Sequence, residues 1–147
     1  MVPLNHLARL PTPADNVAIA ARTLTAGTKI EHDGRAFSLD YTVLEGHRFA
    51  VRPLRPGDRL LSWGLPFGRA IRPIAAGGYV CNAAMLAALG VRNLAFVLPA
   101  SPNFEDHAAP YVLDETRFQP GVQVPPYAEP RMFFGYPRGG GRGVGTR

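Results

Sequence analysis

Residues 51–60 read VRPLRPGDRL, and the phrase recurs: ARTLTAGTKI fills residues 21–30 and IRPIAAGGYV fills residues 71–80. The shared skeleton is an apolar residue, Arg, Pro or Thr, then Leu or Ile, a spacer, a small residue or Pro, Gly, two variable positions and an apolar residue. Each copy has the physics of a strand, a tight turn and a new strand. The approach runs alternate, as in NVAIAAR and HRFAVR, so that every second side chain faces a core. Leu24, Leu54 and Ile74 then drop an aliphatic group inward. The small residue or Pro, followed by Gly27, Gly57 or Gly77, turns the chain, glycine tolerating the positive φ that such turns need. Ile30, Leu60 and Val80 begin the next buried segment. Three corners in so short a span, with no long helix between them, predict a compact, folded-over, mainly β unit. Their unequal spacing rules out a long solenoid.

Working outward, EHDGRAF sets Asp33-Gly34 between extended flanks as a two-residue hairpin turn. SWGLPFGRA carries Gly64 and Gly68 around a proline and reads as a bend between strands, with Trp63 assigned to a core or an interface. NAAMLAALG is the one helix of the reading, over residues 82–89, with Asn82 as its N-cap and Gly90 as its stop. From Pro99 the chain turns Pro- and Gly-rich and reads as an extended arm. Phe104, Tyr111, Phe118, Tyr127 and Phe133 are spaced along it like anchors for another protein surface, either a partner or a second copy of this chain.

Composition narrows the function classes. Apolar residues make up 46% of the 147, enough for one domain with a real core. No apolar run approaches the roughly 18 residues that span a bilayer, and the N-terminus has no signal-peptide pattern. Cys81 is the only cysteine, so no internal disulfide forms, which fits a reducing cytoplasm. The net charge of +5 comes from scattered arginines with Lys29 as the sole lysine. Without a basic patch or a recognisable module, nucleic acid is set aside as a partner.

Among candidate functional residues, His47 follows a turn glycine, where an imidazole can point into a cleft. His6, His32 and His107 are scattered, with no metal-ligand spacing, and no metal site is assigned to this chain. Cys81 has no readable basic partner and is taken as a small buried apolar group. Asp15 and Asn16 precede a strand, either as turn residues bonding backbone amides or as contacts to a substrate or partner. The Gly-rich basic terminus could cradle a carboxylate or phosphate through its free amides with Arg142 or Arg147.

PADNVAIAARTLTAGTKI and LEGHRFAVRPLRPGDRLLSWGLPFGRAIRPIAAGGYV together resemble the SAF domain, a β-clip module, and in particular the N-terminal domain of the altronate and galactarate dehydratase family. The resemblance rests on Asp15-Asn16, Gly46-His47, the run from Gly64 to Gly68, and Gly77; a small SAF-only subunit of sulfolactate sulfo-lyase is similar in the same region. It divides the chain into an N-terminal arm (1–13), a SAF-like β-clip with one short helix (14–98), and an arm (99–147). The closing FFGYPRGGGRGVGTR is similar to the start of the family's catalytic domain. One departure is VCNAA, with Cys81 and Ala83 where relatives carry histidines.

The resemblance implies β-elimination of water from a sugar acid, which needs a base, an acid and an enediolate stabiliser. This chain reads as an accessory domain or small subunit of such a dehydratase, incomplete alone. His47 is its catalytic candidate; Asp15, Asn16, Asn82, Arg142 and Arg147 are its substrate-binding candidates. No cofactor is assigned to this chain alone, while the assembled enzyme has room for a divalent metal such as iron, manganese or magnesium. The implied partners are a catalytic domain or large subunit, or another copy through the arm. The alternative is a stand-alone SAF carbohydrate-binding or assembly module.

Overall fold

In the computed structural model Gly27, Gly57 and Gly77 all hold positive φ (79°, 91° and 85°), and Gly46 joins them at 78°. After each glycine the next amide donates to the carbonyl three residues back: Thr28 to Thr25 (3.1 Å), His47 to Leu44 (3.0 Å), Asp58 to Arg55 (3.0 Å), Gly78 to Ala75 (2.9 Å). A hydrogen-bonded turn with glycine at its third position is the type II pattern. The corner phrase is therefore written four times, not three. The fourth copy is DYTVLEGHRF at residues 40–49. Asp40, Tyr41 and Glu45 disguise it, while Val43, Gly46 and Phe49 keep the positions that matter physically.

The structure describes residues 1–107, then 113, 114, 116, 129, 135–137 and 144–145. The chain divides into two units, Met1–Pro110 and Tyr111–Arg147. Strands β1 to β5 are Val2–Pro3, Ala8–Arg9, Val17–Ala20, Lys29–His32 and Arg35–Ser38. Strands β6 to β10 are Arg48–Ala50, Arg59–Ser62, Leu65–Ala70, Tyr79–Val80 and Phe104–Asp106, with helix α1 at Ala83–Gly90 between the last two. The second unit contributes an antiparallel pair, β11 (Tyr136–Pro137) with β12 (Val144–Gly145).

The corners work in pairs. Leu24 and Val43 exchange both backbone hydrogen bonds (2.8 Å each), and so do Leu54 and Ile74 (2.8 and 2.9 Å). Between the members of each pair runs a hairpin, β4–β5 in one half and β7–β8 in the other. Both hairpins turn through two residues at positive φ: Asp33 and Gly34 (49° and 68°), Trp63 and Gly64 (60° and 73°). Residues 21–50 and 51–80 thus repeat one corner–hairpin–corner motif. The repetition extends to single bonds, since Gly46 donates to Ala20 as Gly77 donates to Ala50.

The four-stranded sheet β2-β3-β6-β9 forms the middle layer. Because strand side chains alternate, it feeds two cores. Ala18, Phe49 and Tyr79 join Leu4, Leu24, Ile30, Leu39 and Val43 on one face. Val17, Ala50 and Val80 join Leu54, Leu60, Ala70, Ile74 and Phe104 on the other. The sheets β1-β4-β5 and β10-β8-β7 supply the remaining strands to the two cores.

Several expectations change. Residues 1–13 carry β1 and β2, which pair with β4 and β3. Beyond the expected arm boundary at residue 99, β10 pairs with β8 and buries Phe104. Gly68 makes this possible: a Cβ there would strike the Phe104 ring and the Glu105 carbonyl, so it is a mid-strand residue and not a bend. Trp63 lies at a hairpin tip with 68% of its surface exposed, outside either core. Gly90 is the last helical residue, and the C-cap is Val91 in a right-handed conformation.

Asp15 and Asn16, both 3% exposed, tie β3 to the second hairpin. The Asp15 carboxylate accepts the amides of Gly64 (2.8 Å), Trp63 (2.9 Å) and Thr12 (3.0 Å). Asn16 donates to the Arg59 carbonyl and accepts from the Leu61 amide, both at 2.8 Å, bridging the irregularity in β7. Burial alone would raise the Asp15 carboxyl, but the Gly64, Thr12 and Trp63 amides outweigh it and hold the group below 3.8.

Two predictions follow from these constraints. Gly57→Ala meets no neighbour and bears only the conformational penalty, about 1 kcal/mol. Gly77→Ala also drives a methyl into the Ser38 carbonyl, so urea unfolding should give a loss of about 3 kcal/mol; equal losses would show that the close approach is unimportant. Asp15→Ala should cost about 1–3 kcal/mol at neutral pH. Because the folded-state carboxyl is lowered, its contribution is complete above 3.8 and disappears as pH falls through the folded value. The gap between wild type and variant should therefore close in acid; a constant gap would mean that the carboxylate charge is not what holds the hairpin.

Candidate functional site around His47

The second corner delivers His47 to the surface as the residue between the Gly46 turn and β6. β6 pairs antiparallel with β9, setting Phe49 opposite Tyr79 and Arg48 opposite Val80. The Tyr79 ring, 1% exposed, runs beneath His47, and its hydroxyl lies 2.7 Å from His47 Nδ1. The two rings stack with centroids 5.9 Å apart and planes 29° from parallel. The Tyr79 backbone is fixed from both sides, its amide donating to Asp40 (2.9 Å) and its carbonyl accepting from Asn103 (2.7 Å).

His47 opens onto a cleft of about 280 Å³ whose walls include Arg48, Phe67, Met85 and Phe104. The Arg48 guanidinium sits 5.2 Å above the Phe67 ring, which meets Phe104 edge-on at 5.5 Å. Arg48 Nε is buried with no hydrogen-bond partner among the described residues. Asn82 and Asp106 also line the cleft. Asn82 is the helix N-cap, accepting from the Met85 amide at 2.8 Å, and its Nδ2 donates to both Asp106 oxygens at 3.0 and 2.9 Å.

The electrostatics favour neutral rings. Burial, then the positive charges of Arg92 and Arg48, hold the His47 imidazole below its ordinary 6.5. Burial, with a smaller contribution from Cys81, pushes the Tyr79 phenol up to about 12. Near neutral pH the pair is thus an uncharged imidazole on an intact phenol. Cys81 is fully buried, and burial raises its thiol away from nucleophilic use.

Of the residues singled out in the sequence, His47 and Asn82 meet in this cleft. Asp15 and Asn16 lie elsewhere, with their side chains bonded to backbone groups. Arg142 and Arg147 fall outside the described residues. Tyr79, Arg48, Phe67 and Asp106 were not anticipated. Tyr79 joins His47 only through strand pairing 32 residues away, and Asp106 enters through β10. The alternation of β9 was the available signal, since it turns Tyr79 and Val80 to opposite faces.

Among the described residues no group of three or more His, Cys, Asp or Glu side chains could hold a metal ion. Nor is any described helix long and apolar enough to cross a membrane.

Altronate dehydratase of Escherichia coli (strain K12) is 39% identical over 66 residues, which cover 45% of this chain and 13% of that protein. Altronate dehydratase of Bacillus subtilis (strain 168) is 26% identical over 66 residues, with the same coverage of each. The chain therefore spans only a small part of the length of these relatives. The family description "Altronate/galactarate dehydratase SAF domain" matches residues 10–86, a stretch that contains all four corners, His47 and the Asn82 cap. With more than half of its 147 residues inside that match, the chain belongs to the altronate/galactarate dehydratase SAF domain family.

Proposed function

We propose that this chain is the accessory SAF domain, or the small subunit, of a sugar-acid dehydratase, and that its contribution to the reaction is His47 in the cleft beside Arg48. The observation that carries this reading is an imidazole held 2.7 Å from a buried phenol and lining a cleft inside the family-matched region. Elimination of water from a hydroxy acid removes a proton beside a carboxylate and releases a hydroxyl group. Such a substrate offers anionic and hydroxyl oxygens, which suit the donors His47 and Arg48. Asn82 and Asp106 would face its hydroxyl groups across the cleft.

The reaction also needs a base, and the family reading leaves room for a divalent metal. The described residues do not fit a metal centre, so no step is derived through one, and its ligands would come from other parts of an assembled enzyme. The partner in this reading is a catalytic domain or large subunit, with the segment after residue 107 as the connection.

The test is turnover of altronate and galactarate by the chain alone and by the chain mixed with the polypeptide encoded immediately downstream. The expected result is no 2-keto-3-deoxy product from the chain alone and product from the mixture. His47→Ala, shown to be folded by circular dichroism, should lower kcat of the mixture by about 100-fold, the lower end of what removing one positioned hydrogen-bond donor costs. Turnover by the chain alone would overturn the accessory reading, and an unimpaired His47→Ala mixture would remove His47 from the chemistry.

A further inference from the structure

We infer that Tyr79 is a positioning residue which locks His47 in the Nε2–H tautomer, so that His47 meets the contents of the cleft as a hydrogen-bond donor and not as a base. This rests on the reading that His47 works at the cleft, and it adds a residue and a direction of hydrogen bonding to that reading.

The argument is one of proton placement. A phenol has one proton to donate, and a neutral imidazole has one donor nitrogen and one acceptor nitrogen. The Tyr79 hydroxyl is enclosed, and among the described residues its one hydrogen-bond partner is His47 Nδ1, at 2.7 Å. If Nδ1 carried the imidazole proton, it would donate to the phenol oxygen and the phenol proton would lack an acceptor among the described residues. Buried donors without partners are strongly disfavoured. With the phenol donating to Nδ1, the buried phenol proton has its acceptor, and the ring proton must reside on Nε2.

The geometry then aims that proton. Nδ1 faces Tyr79, which is not part of the cleft wall, whereas His47 is. Nε2 is the nitrogen left for the cleft. The stacked contact, with planes 29° apart, restrains the ring against flipping. The charged groups around it do not alter this assignment. Arg48 and Arg92 oppose a second proton on the ring, and Asp106 across the cleft is engaged by Asn82. A ligand group against His47 must therefore present an acceptor oxygen, and the base for proton abstraction must come from outside this pair.

The test needs no turnover. In the full 147-residue chain, long-range proton–nitrogen NMR of the histidine rings, at a pH well above 6.5, reports which His47 nitrogen is protonated. The expected spectrum has an acceptor-type Nδ1 and a protonated Nε2. Tyr79→Phe should shift Nδ1 toward the protonated signature as the two tautomers mix. In the assembled enzyme the same variant should lower kcat by about tenfold with less change in KM. A protonated Nδ1 in the unmodified chain overturns the inference, and so does an unchanged nitrogen signature in a folded Tyr79→Phe variant. Should that variant fail to fold, the unmodified chain alone decides. The two readings fail separately: the expected tautomer alongside a fully active His47→Ala mixture would refute the proposed function and leave the Tyr79 lock standing.

Discussion

The exchange of backbone hydrogen bonds between paired corners is the constraint on which the rest of this fold depends. Leu24 and Val43, like Leu54 and Ile74, bury their side chains while, among the described residues, their main chains bond to each other. Backbone groups in a protein interior must be satisfied, and at a corner no continuous strand can do it. Two short segments that turn at the same place solve the problem jointly. Each pair fixes the base of a hairpin, and each hairpin adds its apolar residues to one of two cores. The glycines at positive φ are what allow the chain to leave such a pair sharply enough to enter the next strand.

Much of this was legible because the corner has a compositional signature. A residue able to bury, a small residue or proline, and a glycine recur at fixed offsets, and turn chemistry requires those types. The corner at residues 40–49 is disguised because its surroundings are polar or bulky. Glu45 stands where the other copies have Ala or Pro, although the second position of the turn tolerates it. Strand β10 was hidden for another reason. NFED sits in a proline-rich stretch, and Phe104 is buried only because Gly68, 36 residues earlier, leaves it room. A vacancy on a partner strand has no local trace in the sequence of the segment that fills it.

The candidate site was half legible for the same reason. A histidine behind a turn glycine and an asparagine opening a helix are local features, and both reach the cleft. Tyr79 and Arg48 are ordinary strand residues until β9 is laid against β6. Asp15 and Asn16 show the converse. Their polarity and position fitted ligand contact as well as turn chemistry, yet every hydrogen bond found for their side chains goes to backbone amides or carbonyls. Buried polar groups so fully engaged are architectural.

The four corners share one backbone closure and differ in what the side chain after the glycine adds, and that difference bears on where chemistry could arise. In the first, the Thr28 hydroxyl donates back to the Thr25 carbonyl; in the third, the Asp58 carboxylate accepts the Arg55 amide at 2.7 Å. Those side chains are committed to their own turns. All four corners are also clamped from outside by main chain, with Leu39 bonded to both Gly27 and Thr28, Ala20 to Gly46 and His47, Ala70 to Gly57 and Asp58, and Ala50 to Gly77 and Gly78. In the second and fourth corners the residue after the glycine closes the turn with its amide alone, and its side-chain position has no part in it. The fourth corner leaves that position as glycine, and the second fills it with an imidazole. A backbone clamp thus creates a vacancy for side-chain invention, a place where a reactive group can be gained, exchanged or lost without unravelling the corner that presents it.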